Sequence, residues 1–190
     1  MKLMYLNKIL LLILILSLSS CQSEYTKVVK KELASGVKND TIFYGLQFGQ
    51  SKPSFFKTCW ELNRKKLISH GSDNNYVQKL LIPQDSSDTT REIKMLFYPM
   101  FDENDIIIAM DIKFSYEAWA PWNKDLESNK LLPNVQDTLS KWYPGNPFIK
   151  LKNNIFVKVD GNRQIQLNIE SDRDVAVKIE DLSYKYNKVK

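Results

Sequence analysis

Histidine and cysteine are all but missing from this 190-residue sequence, which has one histidine, His70, and two cysteines, Cys21 and Cys59. That scarcity excludes a zinc site built from Cys and His ligands. Six glycines are present, and none falls in a phosphate-cradling loop or a nucleophile elbow. A strong excess of one charge is also lacking. Lys and Arg number 27 against 22 Asp and Glu, a net charge of +5 with no dense basic block. The sequence therefore gives no sign of a nucleic-acid partner. Long apolar runs are missing too. Ile9 to Leu16 is an unbroken aliphatic stretch, but it is far shorter than the roughly 20 residues a membrane-spanning helix needs.

The sequence is rich in material for a core. Hydrophobic residues make up 43% and aromatic residues 12%, which excludes a disordered chain and suits one domain, or one domain made of two similar halves.

The first twenty residues read as an export signal. Lys2 and Lys8 give a positive start, Ile9–Leu16 the apolar centre, and Ser17, Leu18, Ser19 and Ser20 a small-residue end before Cys21. Leu18-Ser19-Ser20-Cys21 resembles the bacterial lipobox. The resemblance implies cleavage before Cys21 and attachment of a diacylglyceryl group to its thiol. Residues 1–20 are then the signal peptide and 21–40 a tether carrying Lys27, Lys30, Lys31 and Lys38, with a short helix over Glu24–Leu33 as one option. The processed chain carries +3, because Lys2 and Lys8 leave and no acidic residue precedes Cys21. Gln22 is not the Asp that retains many such lipoproteins in the inner membrane, so the resemblance implies the outer membrane, facing periplasm or cell surface. With Cys21 acylated, Cys59 has no intrachain disulfide partner.

Alternation at two-residue spacing predicts strands over Ile42–Phe48, Tyr76–Ile82, Ile93–Tyr98 and Ile106–Tyr116. It predicts three more around Ile155–Val159, Ile165–Ile169 and Val175–Ile179, with Phe148–Leu151 as a further candidate. Pro83–Thr90 reads as a polar loop. Ser51 and Pro53 open a helix over about 52–67, ended by His70-Gly71-Ser72. A second, shorter helix carries Val135, Leu139 and Trp142 and stops at Pro144-Gly145. Asp102–Asp105, Asp160–Arg163 and Ser171–Asp174 read as hairpin turns.

These elements predict an α+β fold of two tandem helix-plus-antiparallel-meander units in a two-layer sandwich. The first unit covers 41–117 and the second 133–183. An aromatic connector at 118–132 joins them, and a polar tail, 184–190, frays. Tyr44-Gly45-Leu46-Gln47-Phe48-Gly49-Gln50-Ser51 leads into an amphipathic helix and then a meander. That stretch is similar to the helix-plus-meander modules of outer-membrane-assembly lipoproteins and of β-lactamase-inhibitor-like proteins. The general layout resembles uncharacterised envelope lipoproteins of Gram-negative bacteria. The resemblance implies the fold and carries no binding residues across.

No constellation for catalysis stands out. Cys59 and His70 make one nucleophile–base pair only if the chain folds back after the helix; a buried thiol and a surface imidazole are the alternative. Asp102, Glu103 and Asp105 are not spaced as an EF-hand loop, and a solvated hairpin tip accounts for them. The sequence implies no cofactor and no metal. The candidate partner-binding residues are Tyr116, Trp119 and Trp122, since indoles offer large rigid faces and one donor each. The other reading of the two Trp is a plug closing the junction between halves. On spacing past Pro121, Trp119 is expected in the core and Trp122 at the solvent border. Two functions survive: a membrane-anchored, non-catalytic binding or assembly module for a protein or glycan partner, and an envelope hydrolase with an unrecognised site.

Overall fold

The computed structural model describes residues 23–71, 76–82 and 89–187. The signal segment, Cys21 and most of the polar loop after Pro83 lie outside them. Among the described residues there are four helices and eight strands. The helices are α1 (Glu24–Ala34), α2 (Lys52–Arg64), α3 (Ser128–Trp142) and α4 (Leu182–Asn187). The strands are β1 (Ser69–His70), β2 (Val77–Leu81), β3 (Ile93–Phe101), β4 (Ile107–Tyr116), β5 (Ile149–Lys150), β6 (Phe156–Asp160), β7 (Arg163–Ile169) and β8 (Val175–Asp181). The fold is α+β, and all neighbouring strands are antiparallel.

The strands form one sheet in the order β1-β2-β3-β4-β8-β7-β6-β5. β4 and β8 meet in its middle, with Ile112 opposite Val177 and Phe114 opposite Val175. The period-2 pattern explains the main core. Met95 and Phe97, Met110, Ile112 and Phe114, Val175, Val177 and Ile179, Ile165 and Leu167 are all buried in one cluster. Leu131, Val135 and Leu139 of α3 belong to the same cluster, at helical spacing, and α3 packs on β4, β7 and β8.

A second, smaller core lies on the other face. Val157 and Val159 sit opposite Gln166 and Gln164, out of phase with Ile165 and Leu167. They pack with Val29 of α1 and Leu182 of α4. Helices therefore cover both faces at the β6 end, where the sequence suggests helices on one face only. The middle of that second face stays wet, with Asp111 exposed and Lys113 paired to Glu170 at 2.8 Å.

Several elements differ from the sequence reading. Ile42–Phe48 is no strand: Thr41 and Gln47 form an isolated bridge around a tight turn. α3 starts at Ser128 and runs through Pro133, so it takes in residues 128–132 that were expected in the connector. Pro133 removes one backbone donor, but the helix start is held from outside. The Ser128 N–H donates to the Asp172 carbonyl at 2.8 Å, and its hydroxyl to the Ser171 carbonyl at 2.6 Å. His70 belongs to the short β1, opposite Val77. The helix offered as an option over Glu24–Leu33 does form, as α1, within the segment read as a tether, whereas the tail read as fraying is helical through Asn187.

Candidate functional site

The site forms where the chain enters the fold. The Leu46 N–H donates to the Phe43 carbonyl at 2.8 Å, closing a turn whose middle residues, Tyr44 and Gly45, have φ of 51° and 80°. Two successive positive φ values are usual for Gly, Asn or Asp, and a tyrosine there is under backbone strain. The ring gains packing in exchange. It meets Phe43 and Trp142 edge-on, with centroids 5.4 and 6.4 Å away, and Lys79 Nζ lies 5.9 Å from its centre.

Across from this turn, α3 ends in Trp142-Tyr143. Tyr143 is buried and donates to the Ile42 carbonyl at 2.5 Å. The Arg163 guanidinium lies 4.5 Å from the Tyr143 ring centre and donates to the Thr41 carbonyl at 3.0 Å. Together Asn39, Thr41, Tyr44, Trp142, Pro144 and Arg163 line an open cleft of about 500 Å³. Burial pushes the Tyr44 and Tyr143 phenols up, so both stay protonated at neutral pH. The cleft offers aromatic walls, amide and backbone polar groups and a cation at its edge. This set suits stacking on a planar or sugar ring, or enclosing one side chain of a partner.

A polar clamp fixes one side of the cleft. In the β6–β7 turn, the Gly161 N–H donates to Glu32 Oε2 at 2.9 Å. Asn162 accepts from the Asn39 N–H at 2.6 Å and donates to Asp40 at 2.9 Å. Asn39 donates to the Asp160 carbonyl at 3.0 Å. Lys158, buried on the core side, pairs with Asp160 at 2.8 Å and donates to the Asn146 carbonyl. Every charged group in this knot has a protein partner, which is what burial demands.

The three aromatic residues expected to bind a partner differ in exposure. Tyr116 is buried, 1% exposed, and its hydroxyl accepts from Asn134 Nδ2 at 3.3 Å. That burial follows from its phase with Met110, Ile112 and Phe114 on β4, and it leaves little of the ring for a partner. Trp119 is half-buried against the main core with Arg173 5.7 Å from its ring centre. Trp122 is 84% exposed. The cleft around Tyr44 and Trp142 was missed. Its sequence signals are the Tyr-Gly pair at 44–45 and the Trp-Tyr-Pro-Gly end of α3, neither of which reveals that the two meet. Phe56 and Trp60 on α2 are also exposed, one turn apart.

The groups considered for catalysis sit in ordinary roles. Cys59 is half-buried on α2, and burial pushes its thiol up to about 11. A thiol so high supplies little thiolate at neutral pH. His70 is exposed on β1. Asp102 Oδ1 accepts from the N–H groups of Asn104 and Ile106, both at 2.9 Å, and Asp105 pairs with Lys52 at 3.2 Å. Among the described residues no group of three or more His, Cys, Asp or Glu is placed to hold a metal ion. No helix there is long and apolar enough to cross a membrane.

No known family model matches the chain, and no curated protein or solved structure matches it.

Proposed function

We propose that the protein is an envelope lipoprotein, acylated at Cys21 and anchored in the outer membrane, that serves as a non-catalytic binding or assembly module for a protein or glycan partner. The observation that carries the binding role is the Tyr44–Trp142–Arg163 cleft. A strained tyrosine is kept where a glycine or asparagine would relax the turn, and its ring walls an open cleft. Cys59 is half-buried and burial raises its thiol to about 11, which disfavours a thiol-based hydrolase. The lipobox sequence before Cys21 supports the anchor.

The tandem reading of the fold belongs here too. A helix followed by four strands occurs twice in chain order, and the two sets meet through their last strands. This supports two units, 41–117 and 133–183, joined by the connector 118–132. Superposing their Cα traces tests it: matched helix and strand positions favour two copies, and a different strand path in one half refutes them.

The binding role is tested by placing a photo-crosslinking residue at position 44 in cells. One discrete protein or glycan adduct, lost when Trp142 is changed to Ala, is the expected result. No adduct at 44, at 60 or at 122 contradicts it.

A further inference from the structure

We propose that the Tyr44–Trp142–Arg163 cleft takes a carboxylate of an acidic peptide, and that Arg163 is the group that recognises it; this rests on the cleft being a binding site and adds the chemistry of what it binds. Two cations are buried among the described residues, Lys158 and Arg163. Lys158 pairs with Asp160 at 2.8 Å. Arg163, 7% exposed, forms no ion pair among the described residues. The nearby acids are committed elsewhere: Asp160 to Lys158, Asp40 to Asn162, and Asp181 to Asn162 and the Ser183 N–H.

A guanidinium carries five N–H donors. Here Nη1 serves the Thr41 carbonyl at 3.0 Å, and Nε has no hydrogen-bond partner. Burial lowers the pKa of the group, with the charges of Tyr143 and Asp160 opposing that only in part. A buried cation without an anion is costly to keep. A ligand carboxylate in the cleft would supply the missing charge. The guanidinium is also held ready for one: it lies over the Tyr143 ring, 4.5 Å from its centre, and the Thr41 bond fixes its rotation. A fixed fork of donors suits the two oxygens of a carboxylate.

The rest of the cleft agrees in charge and shape. No Asp or Glu lines it. Lys79, on the Tyr44 ring that walls it, adds a second cation with no ion pair among the described residues. Tyr44, Trp142 and Pro144 give an apolar wall beside the charge. Few polar side chains are left over, since Asn39 gives its amide N–H to the Asp160 carbonyl and Tyr143 its hydroxyl to the Ile42 carbonyl. A sugar presents a row of hydroxyls that need several such partners. One charged fork next to aromatic walls fits a peptide carboxylate with an apolar neighbour instead.

The test applies the full chain to an array of short peptides with random apolar neighbours, printed in matched pairs. One set pairs Glu with Gln at a central position, and the other pairs a free with an amidated carboxyl terminus. Carboxylate members retained about tenfold more strongly than their amide partners are expected. A preference in the first set gives a side-chain carboxylate as the source, and one in the second a chain end; either supports the inference. Arg163→Gln should abolish the preference and leave binding of the amide peptides unchanged. Arg163→Lys, which keeps the charge and loses the fork, should weaken it several-fold, and it serves if the Gln variant does not fold. Equal retention of both members, retention of none, or a preference that both variants leave intact overturns the inference. Stronger competition by a hexuronic-acid disaccharide than by the retained peptides overturns the choice of a peptide. Crosslinking at position 44 separates the two readings: an adduct with no carboxylate preference refutes this inference alone, whereas no adduct and no retained peptide refutes the binding role with it.

Discussion

Gly161 shows how one residue ties the entry segment to the sheet. Its φ is 57°, and a Cβ there would lie 2.4 Å from the Val37 carbonyl oxygen. Both the left-handed backbone and the close approach require glycine. Gly161→Ala is therefore expected to destabilise by more than about 1 kcal/mol, measured by urea unfolding. A neutral result would mean that the 35–41 segment moves aside easily. Residues of this kind were half legible. Asp160-Gly161-Asn162-Arg163 announces a tight turn through its chemistry, and the turn forms. Nothing in those four letters says that Asn39 and Glu32, more than a hundred positions earlier, supply its hydrogen-bond partners. Tyr44 is similar: alternation across Ile42–Phe48 suggests a strand, and the turn at 44–45 overrides that pattern.

At the scale of elements, α1 was legible as an option over Glu24–Leu33, but its docking was not. Its apolar content is low, and Tyr25, Val28, Val29 and Leu33 face inward. Such a helix is held by docking and not by propensity. Glu32 makes part of that docking pH-dependent. The Gly161 N–H, above all, holds its carboxyl below the ordinary 4.5. A carboxyl lowered on folding stabilises the fold above its unfolded value, and the contribution fades as pH falls through the folded value. Glu32→Gln is expected to cost about 1 kcal/mol at neutral pH, discounted for partial exposure, with the gap to the unmodified protein closing in acid. Urea midpoints measured across that range check this, and a gap independent of pH contradicts it. By contrast, α2, β3, β4 and β6–β8 were legible because both helical and strand periods repeat long enough to fix a buried face. The first turn of α3 was assigned to the connector, because the contacts from Ser171 and Asp172 that hold its start come from a distant turn. The connector offers a paired comparison. Trp119→Ala should destabilise by about 2–3 kcal/mol, less than a fully buried indole, because Trp119 is half-buried. Trp122→Ala should stay within about 0.5 kcal/mol. Equal effects in urea unfolding would show that both indoles are structural.

At the scale of the whole molecule, antiparallel alternation led to the α+β class, whereas the joining of β4 to β8 could not be read, since pairing between distant strands leaves no local pattern. The sheet places the Tyr44–Trp142–Arg163 cleft and the clamp that holds α1 at the same turn, so the chain's entry and its candidate site share one polar knot. The envelope anchor depends on one modification, acylation of Cys21. Cells expressing the protein and fed labelled palmitate should incorporate label into the unmodified protein and not into Cys21→Ser. Equal labelling of the two, or none in either, would contradict the anchored reading on which the proposed role rests.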